Sequence, residues 1–253
     1  MALVSAIVAS LLRTIADIRT MVGRRSRRNT NLSEAEQADR HFLYERSVQC
    51  AEAELDFVEW AFKRLRGHRP QLLREDFCGT ANVSCEWVRR KRTNRSIGVD
   101  LDPEVLDWGR EHNLGRLTPA QAQRVELRRE DVLRVSTEPP DMISAMNFSY
   151  WLFKERKDLK RYFRRARAAL KDDGVLFLDA YGGYDSFREI EEERELDGFT
   201  YVWEQAKFEP IRNGLICHIH FAFPDGSRLE RAFSYDWRLW TLPEIRELLE
   251  EVG

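Results

Sequence analysis

The stretch that decides the fold is Leu72-Leu73-Arg74-Glu75-Asp76-Phe77-Cys78-Gly79-Thr80-Ala81. A short run over 71–77 reads as a strand. It ends in small residues, and a helical pattern over 80–92 follows at once. A strand–turn–helix of this kind aims backbone amides at a ligand on the carboxyl edge of a sheet. Working outward, strands are predicted over 96–101, 124–129, 142–148 and 175–180, and helices over 103–113 and 157–170. Strands that alternate with helices of this length need crossover connections, and crossovers build a parallel sheet. The fold class is therefore α/β, doubly wound and mostly parallel.

Two acids follow the opening stretch at telling distances. Asp100, with Leu101 beside it, closes the second strand 25 residues after Glu75. An acid there is placed to accept hydrogen bonds from two ribose hydroxyls. Asp131, with Val132 beside it, closes the third strand 31 residues further on. Its carboxylate suits an adenine amino group, while the next amide suits the ring. Each acid alone reads equally well as a helix cap or a solvated loop residue. Their order at successive strand ends is what carries the functional reading.

Before the sheet, Ser33 and Glu36 form a capping box, and a helical stretch runs from Phe42 to Leu65, stopped by Gly67 and Pro70. Beyond Gly183 the alternation ends. A short acidic helix is predicted over 189–195, then strands over 199–208, 215–223 and 228–239. The turns at Asn213-Gly214 and Asp225-Gly226 are strong hairpin signals. Residues 199–240 thus form a three-stranded antiparallel insert, which holds ten of the 28 aromatic residues. It reads as an acceptor lid, a dimer face or plain core. Thr241 and Glu244 cap a last helix. His218 and His220 share one strand face; a base or metal pair and a lid-lining pair both fit, and no third ligand lies nearby. The basic runs 89–92 and 154–171 read as a helix C-terminus and a solvated helix face.

The chain has 253 residues, with 43% apolar and 11% aromatic side chains, enough for one large core. The 41 basic and 43 acidic residues leave a net charge of −2, which gives no support to chain-wide polyanion binding. The balance hides a segregation, because residues 1–31 carry six arginines and one acid (Asp17). That basic amphipathic segment reads as a packed helix, a surface-touching helix or an organellar address. Four scattered cysteines argue for a reducing compartment, hence the cytoplasm, and no apolar run is long enough to span a bilayer.

With these residues in place, the chain over about 40–253 resembles the class I S-adenosylmethionine-dependent methyltransferases. Glu75-Asp76-Phe77-Cys78-Gly79-Thr80-Ala81 matches their first motif, an acid before a Gly-rich turn. Phe77 and Ala81 stand where the common pattern has glycine. The resemblance implies a Rossmann-like sheet with a helical N-terminal cap over 32–68, and S-adenosyl-L-methionine as cofactor. The implied cofactor shell is Tyr44, Arg74, Glu75, Phe77, Cys78, Gly79, Thr80, Asp100, Leu101, Asp131, Val132, Asn147 and Phe148. Tyr150 and Tyr181 are the implied substrate contacts, with no metal and no assigned catalytic residue. Asn147-x-x-Tyr150 also echoes an element of nucleic-acid amino methyltransferases, without its prolines. The implied activity is methyl transfer to an O or N atom of a small molecule. Nucleic-acid methylation and cofactor binding without catalysis are the alternatives, and a homodimer through the insert is a further expectation. The family's sheet closes with two more strands after the last helix. The chain ends at Gly253 before them, so the final sheet hairpin is expected to be absent, with the insert or a partner chain in its place.

Overall fold

The computed structural model describes residues 32–253, so every reading of the basic segment 1–31 lies outside the described residues. Five strands, β1 (Leu72–Asp76), β2 (Arg95–Asp100), β3 (Val125–Arg129), β4 (Met142–Ala145) and β5 (Val175–Leu178), form one sheet. Their order is β3-β2-β1-β4-β5 and every pairing is parallel. The winding reverses between β1 and β4, which opens a crevice at their carboxyl ends.

Successive side chains of a strand point to opposite faces, and Leu72 and Leu73 sort the two layers accordingly. Leu73, Met142 and Phe177 pack under helices Ala51–Arg66 and Asn82–Arg90, against Leu55, Val58, Phe62 and Trp87. Leu72, Ile97, Val99 and Ala145 join Leu159, Tyr162 and Phe163 of helix Arg156–Ala169 and Leu248 of helix Leu242–Val252. Helix Pro103–His112 completes the first crossovers through Leu106, which meets Cys78 and Ala81.

The insert is a second sheet of four strands, not three: β6 (Ile190–Leu196), β7 (Phe199–Glu209), β8 (Gly214–Ala222) and β9 (Arg228–Arg238), in sequential antiparallel order. The acidic helix expected over 189–195 is β6. Its Glu-rich sequence favours a helix in isolation, but seven consecutive register pairs with β7 override that preference. Charged side chains on such an edge strand also discourage pairing with another chain. The two sheets are separate, so the insert does not extend the parallel sheet beyond β5.

The helical stretch from Phe42 to Leu65 is also corrected, because it is two helices, Arg40–Val48 and Ala51–Arg66, parted by extended backbone at Gln49. Asp39 starts the first of them, accepting from the amides of His41 and Phe42. Ser33 and Glu36 do form their capping box, but around a single turn, Glu34–Gln37. The break at Gln49 lets Leu43, Tyr44 and Val48 leave the parallel sheet and pack on Phe199, Ile219 and Phe221 of the second sheet.

Candidate active site

The turn after β1 has left-handed backbone at Phe77 (φ 59°), Gly79 (φ 53°) and Ala81 (φ 58°). This is why glycine suits these positions: an L-residue there costs about 1–2 kcal/mol. Packing offsets the cost. The Phe77 ring sits 6.1 Å from Phe153 and 5.7 Å from Tyr162, and Ala81 is buried beside Cys78 and Leu106. The Cys78 amide donates to the Val99 carbonyl at 3.0 Å, which ties the turn to β2. Its thiol faces inward against Gly98, where an added Cβ would lie 2.9 Å from the sulfur. Burial holds that thiol well above the ordinary thiol range.

Asp100 meets this turn. The Gly79 amide donates to its Oδ2 at 2.8 Å and the Asp102 amide to its Oδ1 at 3.0 Å. Each oxygen keeps a lone pair, and Leu101 beside it is exposed. Glu75 lies beneath the turn, where its Oε2 accepts from the Ser84 amide (2.9 Å) and hydroxyl (2.6 Å). Burial pushes its carboxyl up to about 8. Arg74 needs correcting, because its guanidinium is buried and gripped by both oxygens of Asp76 at 2.8 and 2.9 Å. A strand side chain one residue before Glu75 points to the opposite face, away from a shared ligand.

The Thr80 hydroxyl donates to Glu45 at 2.5 Å, and Asn113 Nδ2 donates to the same Glu45 oxygen and to the Thr80 carbonyl. Helix Arg40–Val48 is thereby fastened to the turn. Glu45 and Asn113 carried no sequence signal beyond Glu45's place next to Tyr44. Asp131 accepts from the Leu133 amide at 2.9 Å, capping its own turn with the carboxylate part-exposed, while Val132 is buried.

At the end of β4, Asn147 and Phe148 both have φ 56°. Their amides donate to the two oxygens of Asp179 at 2.8 and 2.9 Å, so one carboxylate, just past β5, fixes the strained exit of β4. Burial pushes Asp179 up to about 6. Glu54, which accepts from the Ser144 hydroxyl at 3.3 Å, is pushed up to about 7 by burial and by the charge of Asp179. Neither acid was singled out from the sequence. Tyr150 is a further correction: it is fully buried, with its hydroxyl on the Asp179 carbonyl at 2.7 Å. It is a core residue and presents nothing to a substrate.

Beside this exit lies a cavity of about 170 Å³, lined by Tyr44, Val48, Asn147, Phe148, Tyr181, Tyr201, Trp203, Ile219, Tyr235 and Trp237. The structure therefore brings together Tyr44, Asn147, Phe148 and Tyr181 from the expected site, and adds the aromatic face of the insert. His218 and His220 flank Ile219 in the strand and so occupy the opposite face. There His218 meets Ser234, and His220 lies between Glu204 and Glu230. Among the described residues no group of three or more potential ligands is arranged to hold a metal, and no helix is long and apolar enough to cross a membrane.

Residues 78–176 match the model of a methyltransferase domain family. Among curated protein sequences, none matches the chain. Many solved structures share its fold, among them the following three. An S-adenosylmethionine-dependent methyltransferase from Clostridium acetobutylicum is 19% identical, with a TM-score of 0.66, covering 84% of this chain and 85% of its own. A sugar N-methyltransferase from Streptoalloteichus is 18% identical, with a TM-score of 0.63 and coverage of 93% and 91%. An amino pentose methyltransferase from Micromonospora echinaspora, solved with S-adenosylmethionine bound, is 15% identical, with a TM-score of 0.64 and coverage of 84% and 87%. Sheet order and first-motif turn agree with the family match over residues 78–176, and the chain has the fold of these S-adenosylmethionine-dependent methyltransferases.

Proposed function

We propose that this chain is an S-adenosylmethionine-dependent methyltransferase acting on an O or N atom of a small molecule. One observation carries the reading: the Gly79–Asp100 turn and the aromatic cavity lie side by side along the carboxyl edge of β1, β2 and β4. The residues fit the cofactor. A Cβ at Gly79 would meet only Val105, at 3.9 Å, so a ligand has room to approach the turn. Asp100 keeps lone pairs for ribose hydroxyls, and Leu101 offers an exposed apolar surface for a base. Tyr44, Glu75, Phe77, Cys78, Thr80, Asp131, Val132, Asn147 and Phe148 complete the proposed shell; Arg74 is left out.

When bound, the cofactor supplies a sulfonium methyl that an acceptor lone pair takes by in-line displacement, the C–S electron pair leaving with sulfur. The protein's share is alignment and exclusion of water. The insert and helix Arg40–Val48 roof the cavity with apolar rings, and Asp179 fixes the loop at its floor. The sugar and amino pentose acceptors of similar structures support a small-molecule acceptor. On the insert, Phe233 packs on His41 and Tyr44 of its own chain, and a homodimer through the insert's remaining surface stays part of the proposal. Four free cysteines suit a reducing compartment, and we assign the protein to the cytoplasm.

Calorimetry with S-adenosylmethionine and S-adenosylhomocysteine, followed by labelled-methyl transfer to a panel of amino and hydroxyl acceptors, tests the proposal. Binding of both and transfer to at least one acceptor is the expected result. If neither nucleoside binds, the proposal fails.

A further inference from the structure

The cavity has a composition that no alcohol or acid acceptor requires. Trp203, Tyr235 and Trp237 form one wall, with ring centroids 4.3 to 6.4 Å apart and mutual tilts of 23° to 37°. Phe148 stands at 84° to Trp237 and makes a second wall, which Tyr181 continues 5.8 Å away. No lysine, arginine or histidine lines the cavity. The Tyr181 hydroxyl is committed to Gln205 at 2.6 Å, and the Tyr44 and Tyr235 hydroxyls bond each other. Two carboxyl groups, Glu54 and Asp179, lie near enough to Tyr44 to act electrostatically on its hydroxyl.

Perpendicular aromatic faces around a small space, with the Tyr44, Tyr181 and Tyr235 hydroxyls paired and two acids nearby, favour a cation that needs few hydrogen bonds. Aromatic quadrupoles attract an alkylammonium most strongly where water is excluded. We propose that the cavity is an aromatic cage for the cationic head of an N-alkylated amine, and that the methyl acceptor or its methylated product belongs to that class. This rests on reading the cavity as the acceptor side of a methyltransferase site.

Choline and its uncharged isostere 3,3-dimethylbutan-1-ol are the probes, titrated against the full chain by calorimetry and by the fluorescence of its tryptophans. The expected result is a preference of at least tenfold for choline. In Trp203→Leu, which removes a face but keeps apolar bulk, the preference falls severalfold, with thermal melting as the control for folding. Trp237→Leu, which removes another face of the same wall, serves as a second variant should Trp203→Leu not fold, and its preference is expected to fall likewise. Equal affinity for the two probes, tighter binding of the neutral one, or tighter binding of phenol than of choline would overturn the cage. S-adenosylhomocysteine is titrated in parallel. If it binds and choline is not preferred, the cage alone fails. If choline is preferred and S-adenosylhomocysteine does not bind, the cage stands and the transferase reading falls.

Discussion

Asp179 shows how much one side chain sets in this site. Two consecutive non-glycine residues, Asn147 and Phe148, sit in left-handed backbone because a carboxylate collects both of their amides. Asp179→Asn keeps the shape but turns a donor toward one of those amides. A loss of about 1–3 kcal/mol in urea unfolding is expected, together with slower methyl transfer. Asp100→Ala removes the acceptor of the Gly79 amide, and calorimetry is expected to show cofactor affinity reduced at least tenfold, about 1.4 kcal/mol. The buried acids also give a pH signature. Glu54 and Glu75 rise from an ordinary 4.5 to about 7 and about 8. The folded protein then binds more protons than the unfolded chain, so their contribution is full below about pH 4.5 and is lost as pH rises through 8. Glu75→Gln mimics the protonated acid toward Ser84. Its melting temperature is expected to fall less between pH 5 and 8 than that of the parent protein. Asp100 was legible at this scale, since its distance from the first motif is fixed by one crossover. Asp179 and Glu54 were not, because their meaning lies in partners far off in the chain. Tyr150 misled, because nearness to a reactive strand end says nothing about which way a ring points.

Elements were legible wherever local signals agreed with packing. Thr241 and Glu244 form the expected capping box, and Gly67 ends its helix in left-handed backbone (φ 77°). The Asn-Gly and Asp-Gly turns stand where they were read, with Asn213 (φ 54°) and Gly226 (φ 83°) both left-handed. Elements failed where pairing overrode propensity, as in the acidic strand β6, or where a break carries no Pro or Gly, as at Gln49. Helix Pro103–His112 shows a close contact that no sequence pattern announced. A Cβ at Gly109 would lie 2.4 Å from the Thr80 carbonyl oxygen. Gly109→Ala must therefore push this helix off the cofactor turn, at about 1–3 kcal/mol of overpacking. Lower thermal stability and weaker S-adenosylhomocysteine binding are expected together; unchanged values would show that the turn yields freely.

Across the whole molecule, the turn proposed to hold the cofactor is built from neighbours in sequence, while the cavity draws on helix Arg40–Val48, the exit of β4 and the second sheet. Parallel order followed from alternation alone. The seat of the insert did not, since its aromatic pattern suits a lid, a core or an interface equally. What decides it is helix Arg40–Val48, wedged between the second sheet and the first-motif turn through the Glu45–Thr80–Asn113 cluster. Glu45→Ala is expected to speed hydrogen exchange along that helix while Ala51–Arg66, seated on the parallel sheet, exchanges as before. Matched acceleration in both helices would mean they open as one unit.

That wedge also imposes an order in time. Tyr44 meets Tyr235 only after the chain between them has been made and folded, and contacts so distant in sequence form slowly. During synthesis the turn that grips Asp100 is complete long before β9 leaves the ribosome. A growing chain thus has the groups proposed to hold a methyl donor but not the cavity proposed to receive an acceptor, which is complete only when β8 and β9 return to helix Arg40–Val48.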